Sequence, residues 1–482
     1  MPVLGKLKHS STGKNQRHTD MSLFNYLEDD LGVQVPREYG LSACTGHHHV
    51  VNGTLKYFKT IPPDVDYREM RITLDWLERA FSLPKLGFSS FEDVWAQTPK
   101  TTSPGFPFSA KFKDKNVLPE HIVLECWRMA MDTSLYGFVF KGCNKEEILA
   151  ATQVDEEWLL KATRQINASA LPHYFRGRFL FGSLTDFLVS NSKRFPFFVG
   201  EHVFKEFGTR LKPFLDGETR VSDQHGQDYG FHPVVHYEIY RSWTRIMQQP
   251  WTVLHDLFVF DEIFSLISVN DRIVRKEKGN PSGSPSTLYM NCFHNLYCLT
   301  SACRKAGMSY SEWYDAVFVR REVLICGDDS LIKADLCSEM DLHLAHMEIG
   351  ALISTSSEPF DNISFCNAVP EVVRLNGVDH IVRVPADCNK LIASVVYKST
   401  GEAYKTLSQL CSMRLQTLFS PYFDIFDDLA HWYVSQHDSV LSGDPDWESA
   451  KKSLLDKKSL MRIHLNLEKR VCCNHSPFKN PL

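Results

Sequence analysis

The sequence predicts an α+β chain built in several lobes, and three observations carry that reading. Its 482 residues exceed what one ordinary domain needs. Two β-hairpins are legible: apolar runs flank Gly327-Asp328-Asp329, and Val372–Leu375 and Val378–Val382 flank Asn376-Gly377. Helical periodicity fills long stretches between them, and beyond residue 385 the chain reads as mostly helical, through Tyr397–Leu418 and Tyr422–Gln436.

Composition narrows the class. An apolar fraction of 43% with 23% charged residues supports sizeable cores and excludes global disorder. Lys plus Arg number 53 against 58 acids, a formal net charge of −5, which excludes a histone-like nucleic-acid coat but leaves room for a local basic channel. Thirteen cysteines without a CxxC pair fit a reducing compartment better than a disulfide framework. Cys472-Cys473 with His475 falls short of the four ligands of a zinc site, and His47-His48-His49 reads as a solvated loop.

Along the chain, Met1–Asp20 is polar and basic, with no secretory signal, and residues 1–60 are loop-rich. Residues 66–100 carry helical spacing through Ile72, Leu74, Leu77 and Phe81. Thr101–Phe108 holds two prolines and a glycine, a fixed non-helical turn, and Lys111, Lys113 and Lys115 after it are placed to guide a phosphate backbone. Residues 141–220 interleave cations (Lys141, Lys145, Lys161, Arg164, Arg176, Arg178) with aromatics, as single-strand contacts require. Trp251–Val269 is the best membrane-span candidate, but His255, Asp256, Asp261 and Glu262 make it a buried or amphipathic helix instead, so no direct transmembrane anchor is expected.

The chemistry gathers in three segments. Gly327-Asp328-Asp329 puts two carboxylates at an exposed hairpin tip, where they repel unless a cation stands between them. A divalent metal answers that need, and oxygen ligands suit Mg2+ or Mn2+. Further acids come from a second segment. Asp223 and Asp228 are favoured over Asp256 and Asp261, because about fifty residues then separate them from the third segment, enough for helices to return the chain. That third segment is Gly279-Asn280-Pro281-Ser282-Gly283-Ser284-Pro285-Ser286-Thr287, a flexible turn leading to a helix capped by Ser284 and running to about Arg304. Thr287, Asn291 and Asn295 share one face of that helix, and a polar stripe in an apolar helix must find partners.

Taken together, Asp-x4-Asp, then Ser-Gly-x3-Thr-x3-Asn, then Gly-Asp-Asp resembles the motif series of RNA-dependent RNA polymerases of positive-strand RNA viruses, most of all the picornavirus-like and astrovirus-like groups, over residues 101–385. The resemblance implies a right-hand fold. Residues 1–215 would form an N-terminal segment and fingers, 216–231 the first palm segment, 232–278 a fingers insertion, 279–384 the palm (antiparallel sheet plus helices) and 385–482 a mainly helical thumb. It implies that Asp223, Asp328 and Asp329 hold Mg2+, with Mn2+ able to substitute, for attack of an RNA 3′-hydroxyl on the α-phosphate of an NTP. Asp228 and Asn291, assisted by Ser282, Gly283 and Thr287, would sense the ribose 2′-hydroxyl. Lys145, Lys161 and Arg164 would hold the triphosphate, and the Asn376-Gly377 hairpin would grip the primer end. The partners implied are RNA template, nascent RNA, NTPs and other viral replication proteins, in a replication complex of the host cytoplasm.

Two departures stand out. No lysine occurs from Ala334 to Asn389 to protonate pyrophosphate, leaving His343 or His346 as substitutes, and Gln224, His225 and Gly226 stand where the family places aromatics. Three rival readings are a reverse transcriptase, a two-metal nuclease and a non-catalytic RNA-binding protein with a polymerase fold. Asp228 and Asn291 argue against the first, the Ser-Gly-x3-Thr-x3-Asn segment against the second, and joint retention of Asp223, Asp328 and Asp329 against the third.

Overall fold

A computed structural model describes residues 3–6, 19–42, 55–58, 64–154, 157–160, 163–269, 272–397 and 401–465. The site is positioned by a four-stranded antiparallel sheet of β1 (Thr219–Gln224), β2 (Val323–Cys326), β3 (Asp329–Lys333) and β4 (Ile353–Glu358), in the order β2-β3-β1-β4. Strand β2 is apolar on both faces because its outer edge is also covered. Ile325 N–H donates to Pro196 O (2.8 Å) and Phe198 N–H to Ile325 O (2.8 Å).

Helices α1 (Pro233–Ile246), α2 (Thr287–Lys305) and α3 (Glu339–Met347) pack with Tyr67–Ala80 into the main core. Trp243, Phe293 and Trp313 are fully buried there, each contributing roughly 1.5–3 kcal/mol by removal from water. Helix α2 is buried nearly all round from Tyr289 to Cys303, in keeping with its central place. Its start differs from the expectation. Ser284 does not cap it, and the first helical residue is Thr287, because Ser284–Ser286 form a tight turn whose Ser284 carbonyl takes Thr287 N–H (3.3 Å).

Three further sheets flank this core among the described residues. Val3–Lys6, Arg272–Arg275, Leu266–Val269, Val139–Asn144 and Gln165–Ala168 form one, and Tyr39–Leu41, Ile148–Val154 and Glu157–Leu160 another. The third is the hairpin β5 (Ala368–Leu375) and β6 (Val378–Pro385), turned by Asn376 and Gly377 at φ 50° and 79°. Residues 19–42 connect distant parts. Leu23, Leu27 and Val35 are buried against C-terminal helices Cys388–Tyr397, Ala403–Gln416 and Phe423–Leu441, and Tyr26 stacks on Trp432 at 4.1 Å, while Tyr39–Leu41 pairs with Ile148–Ala150.

Several local expectations are corrected. Residues 66–100 are two helices, Tyr67–Ala80 and Phe91–Gln97, since Pro84 and Gly87 interrupt the periodicity. Phe365-Cys366-Asn367 starts no strand. Cys366 and Asn367 take φ of 52° and 56°, turning the chain so that Phe365 pairs with Ala368. Trp251–Val269 is a helix, Val253–Ile263, followed by a strand, and no helix among the described residues is long and apolar enough to cross a membrane. His47–His49, Cys472, Cys473 and His475 lie outside the described residues.

Candidate active site

Strand register brings the acids together. Asp223 on β1 lies directly opposite Asp329 on β3, and Asp328 occupies the β2–β3 turn, after Gly327 at φ 67°. The turn is held from below by α2. Asn295 Nδ2 donates to the carbonyls of Gly327 and Asp328 (3.3 Å each), Cys292 Sγ accepts from Gly327 N–H (3.2 Å), and Gln224 N–H reaches Asp328 O (3.3 Å). Asp223 and Asp328 are exposed and Asp329 is half-buried.

Negative charge accumulates here. Burial, then the charge of Asp328, raises the Asp223 carboxyl above the usual range. Burial, then Asp328 and Asp223, pushes Asp329 up to about 6. Among the described residues no Lys or Arg forms an ion pair with any of the three. Carboxylate oxygens in mutual repulsion are the donor set that a hard divalent cation requires. No three acidic, histidine or thiol groups among the described residues stand gathered as a ready coordination shell, so the fit rests on donor chemistry and strand register. The rival pair is committed elsewhere. Asp256 accepts from Tyr237 Oη (3.0 Å) and Trp251 Nε1 (2.8 Å), and Asp261 is buried, accepting from Gly137 N–H (2.7 Å).

The polar stripe of α2 finds its partners beside these acids. Asn291 Nδ2 donates to Asp228 Oδ1 (3.2 Å), and Asn280 Nδ2 donates to Asn291 Oδ1 (2.8 Å). Thr287 Oγ1 donates to Pro281 O (2.6 Å). Ser282 Oγ accepts from Asn167 N–H (3.0 Å), and a Cβ on Gly283 would meet Asn167 O at 2.3 Å, so Ser282, Gly283 and Thr287 fix the loop against the Gln165–Ala168 strand. The Gly279–Gly283 turn is therefore pinned, not flexible as its composition implies. Gly279 takes φ 87°, with Asp228 O 2.3 Å from where a Cβ would stand. Burial pushes Asp228 up to about 6, against the pull of the Asn291 hydrogen bond.

The profile of viral RNA-dependent RNA polymerases matches residues 86–434. The chain belongs to that family. Its fold is similar to that of the Sicinivirus 3Dpol RNA-dependent RNA polymerase, with a TM-score of 0.73 and 15% identity over 97% of this chain and 98% of that one, which establishes the right-hand polymerase architecture. No curated protein sequence matches. The polymerase is an enzyme of RNA-dependent RNA synthesis; it binds RNA and nucleoside triphosphates, and its family uses divalent metal ions.

The basic residues divide by burial. Arg164 is exposed, held by Glu147 at Nε (2.8 Å) and through Nη2, and lies within electrostatic reach of Asp328. Lys145 stands 3.7 Å from the same Glu147. Lys161 lies outside the described residues. Arg176, by contrast, is buried and donates to the carbonyls of Ala130, Asp132 and Leu135, so it belongs to the core of the polymerase. Lys115 is likewise buried, donating to Thr102 Oγ1 (2.5 Å) and Ser103 O (2.9 Å), and braces the Thr101–Phe108 loop instead of facing solvent. His346 is buried with Nδ1 on Leu342 O (2.7 Å), and burial pushes it down to about 4. His343 is engaged by Thr355 (3.1 Å).

Sequence reasoning missed a second layer behind Asp228. Lys276 is fully buried and donates to Gly279 O (2.5 Å), with its ammonium 5.3 Å from the centre of the Tyr57 ring. Tyr57 Oη accepts from Asn167 Nδ2 (2.8 Å). The available signal was the run Arg275-Lys276-Glu277-Lys278 just before Gly279, which spacing alone does not separate from a solvated charge cluster.

Proposed function

We propose that this polymerase replicates and transcribes a viral RNA genome by metal-assisted nucleotidyl transfer, with Asp223, Asp328 and Asp329 holding divalent ions, Mg2+ or Mn2+. The observation that carries the reading is the register match of Asp223 with Asp329, with Asp328 in the adjoining turn. Bound there, the ions supply positive charge for the triphosphate and for the RNA 3′-hydroxyl. The chain's own residues orient the substrates. Asp228 accepts from the ribose 2′-hydroxyl while Asn291 offers its second amide N–H to the same oxygen. Arg164 and Lys145, both exposed and both tied to Glu147, meet the triphosphate. The β5–β6 hairpin supports the primer end, and the lobes divide as fingers (1–215 and 232–278), palm (216–231 and 279–384) and thumb (385–482). The setting we infer is a replication complex in the host cytoplasm with other viral proteins, in keeping with thirteen cysteines that lack a CxxC pair.

The test is RNA primer extension on an RNA template with Mg2+ and then Mn2+, NTPs beside dNTPs, and Asp328→Ala beside the unmodified chain. Extension with NTPs that is lost in the variant supports the reading. RNA binding without extension on primed and unprimed templates would replace it with a non-catalytic RNA-binding protein.

A further inference from the structure

Lys276 is a buried lysine whose one hydrogen-bond acceptor among the described residues is Gly279 O at 2.5 Å. A lysine in that position loses solvation that an apolar side chain of similar length would not lose. Burial pushes its pKa down to about 7 against the pull of Glu262 and Asp228. The surroundings show what the charge acts on. Gly279 N–H donates to Phe231 O (3.2 Å), and Asn280 N–H donates to Asp228 O (2.8 Å). The Asn280 side chain donates to Asn291 Oδ1, and Asn291 donates to Asp228 Oδ1. A continuous path thus runs from Lys276 through the Gly279–Asn280 turn to the pair that meets the ribose. Tyr57 closes it from the other side, packing where a Gly279 side chain would stand and lying under the ammonium.

The path has a chemical consequence. An ionised Asp228 only accepts hydrogen bonds, so Asn291 must present its NH2 toward it, and Asn280 fixes that orientation by donating to the Asn291 oxygen. A 2′-hydroxyl then finds one acceptor and one donor, both of which a deoxyribose leaves unmet. A protonated Asp228 offers a donor instead and scrambles the pattern. The grip of Lys276 on Gly279 O sets where Asn280 stands, and Asn280 in turn fixes which way the Asn291 amide faces.

We propose that Lys276 is a positioning residue for ribose selection, holding Asp228 and Asn291 through the Gly279–Asn280 turn in the donor–acceptor arrangement that reads a 2′-hydroxyl. This rests on the polymerase reading of the site. Lys276 touches no substrate, and its role is distinct from that of Asp228 and Asn291 themselves.

The experiment measures single-nucleotide incorporation of ATP and 2′-deoxy-ATP by the full chain on a primed RNA template, for the unmodified chain, Lys276→Met, Asn280→Ala and the double variant. Each single variant is expected to lower the ratio of kcat/KM for ATP over 2′-deoxy-ATP by about tenfold, the share of one charge-assisted hydrogen bond. The loss falls on ATP, chiefly in KM, and the double variant is no less selective than the worse single one, since both break one path. Thermal unfolding checks that Lys276→Met folds; if it does not, Asn280→Ala decides. A ratio unchanged in the folded variants, with both nucleotides slowed alike, overturns the proposal and leaves the polymerase reading standing. Failure of the unmodified chain to incorporate either nucleotide overturns both.

Discussion

The two sides of the site, centred on Asp223 and on Asp228 five residues later in the chain, are built on opposite terms. Around Asp228 the polar neighbours are largely engaged within the protein: Asn291, Asn280, Thr287 and Ser282 each make a hydrogen bond, with only Asn280 Oδ1 left without one, and Lys276 stands behind them. Around Asp223, Asp328 and Asp329 three carboxylates meet with no Lys or Arg among the described residues ion-paired to them, and burial and mutual repulsion raise Asp223 and Asp329. The first side is finished before substrate arrives, which suits selection by shape and hydrogen-bond polarity. The second is left electrostatically incomplete, which suits a site that takes its positive charge from solution.

The largest effect that sharpens this contrast is catalytic. Replacing Asp328 by Ala removes a carboxylate from the incomplete side, and several kcal/mol of charge stabilisation go with it. Primer extension should fall by roughly 10^3-fold at about 1.4 kcal/mol per decade. RNA affinity, measured by gel shift on the same preparations, should hold within a few-fold. A fall of tenfold or less would mean that Asp328 is not part of the ion-binding set.

Metal binding should come next in size. Mn2+ at a hundredfold above its dissociation constant should stabilise the chain by about 2.7 kcal/mol, read as a rise in Tm that a chelator reverses. Asp223→Asn should abolish most of that rise, while Asn291→Ala, on the finished side, should leave it intact. A rise retained in Asp223→Asn would place the ion elsewhere.

Without metal the sign inverts. Asp329, held at about 6 in the fold, titrates near 3.9 when unfolded. A raised carboxyl binds its proton more tightly in the folded state, so ionising it opposes folding. The penalty is absent below about pH 3.9, grows to about pH 6 and is constant above. Asp329→Asn should therefore stabilise the metal-free chain by about 1–2 kcal/mol at pH 7.5, discounted for partial exposure, with the advantage vanishing near pH 4. A pH-independent advantage in metal-free unfolding would point to packing instead of charge.

What was legible in the sequence follows the same division. Asp223, Asp228, Asn291 and Gly327-Asp328-Asp329 stand out because their chemistry demands particular side chains at short spacing. Helix periodicity and the Asn376-Gly377 turn revealed most elements for the same local reason. Lys276, Tyr57 and the bracing role of Asn167 were not legible, since burial of a lysine or pairing across 110 residues is decided by tertiary packing. Lys115 and Arg176 misled in the same way. Each is a cation in a basic run that folding turns inward onto carbonyl groups. The start of α2 was misplaced because Ser284-Pro285 is a good helix opening locally, and contacts of Gly283 with the neighbouring strand override it.

The smallest effect tests the join between the two sides. Asn295 lies one helical turn beyond Asn291 on α2, so one rigid helix carries both the amide bonded to Asp228, which we propose meets the ribose, and the clamp on the acidic turn. Its single amide nitrogen serves the carbonyls of Gly327 and Asp328, and the side chain is 2% exposed, so no solvent replaces it. Asn295→Ala should cost about 1 kcal/mol of stability. It should also slow extension several-fold through kcat, because Asp328 loses its support, while NTP over dNTP selectivity stays put, because Asn291 keeps its own partners. Loss of selectivity together with rate would show that the helix transmits disturbance between the two sides, and the contrast drawn above would describe one coupled unit instead of two.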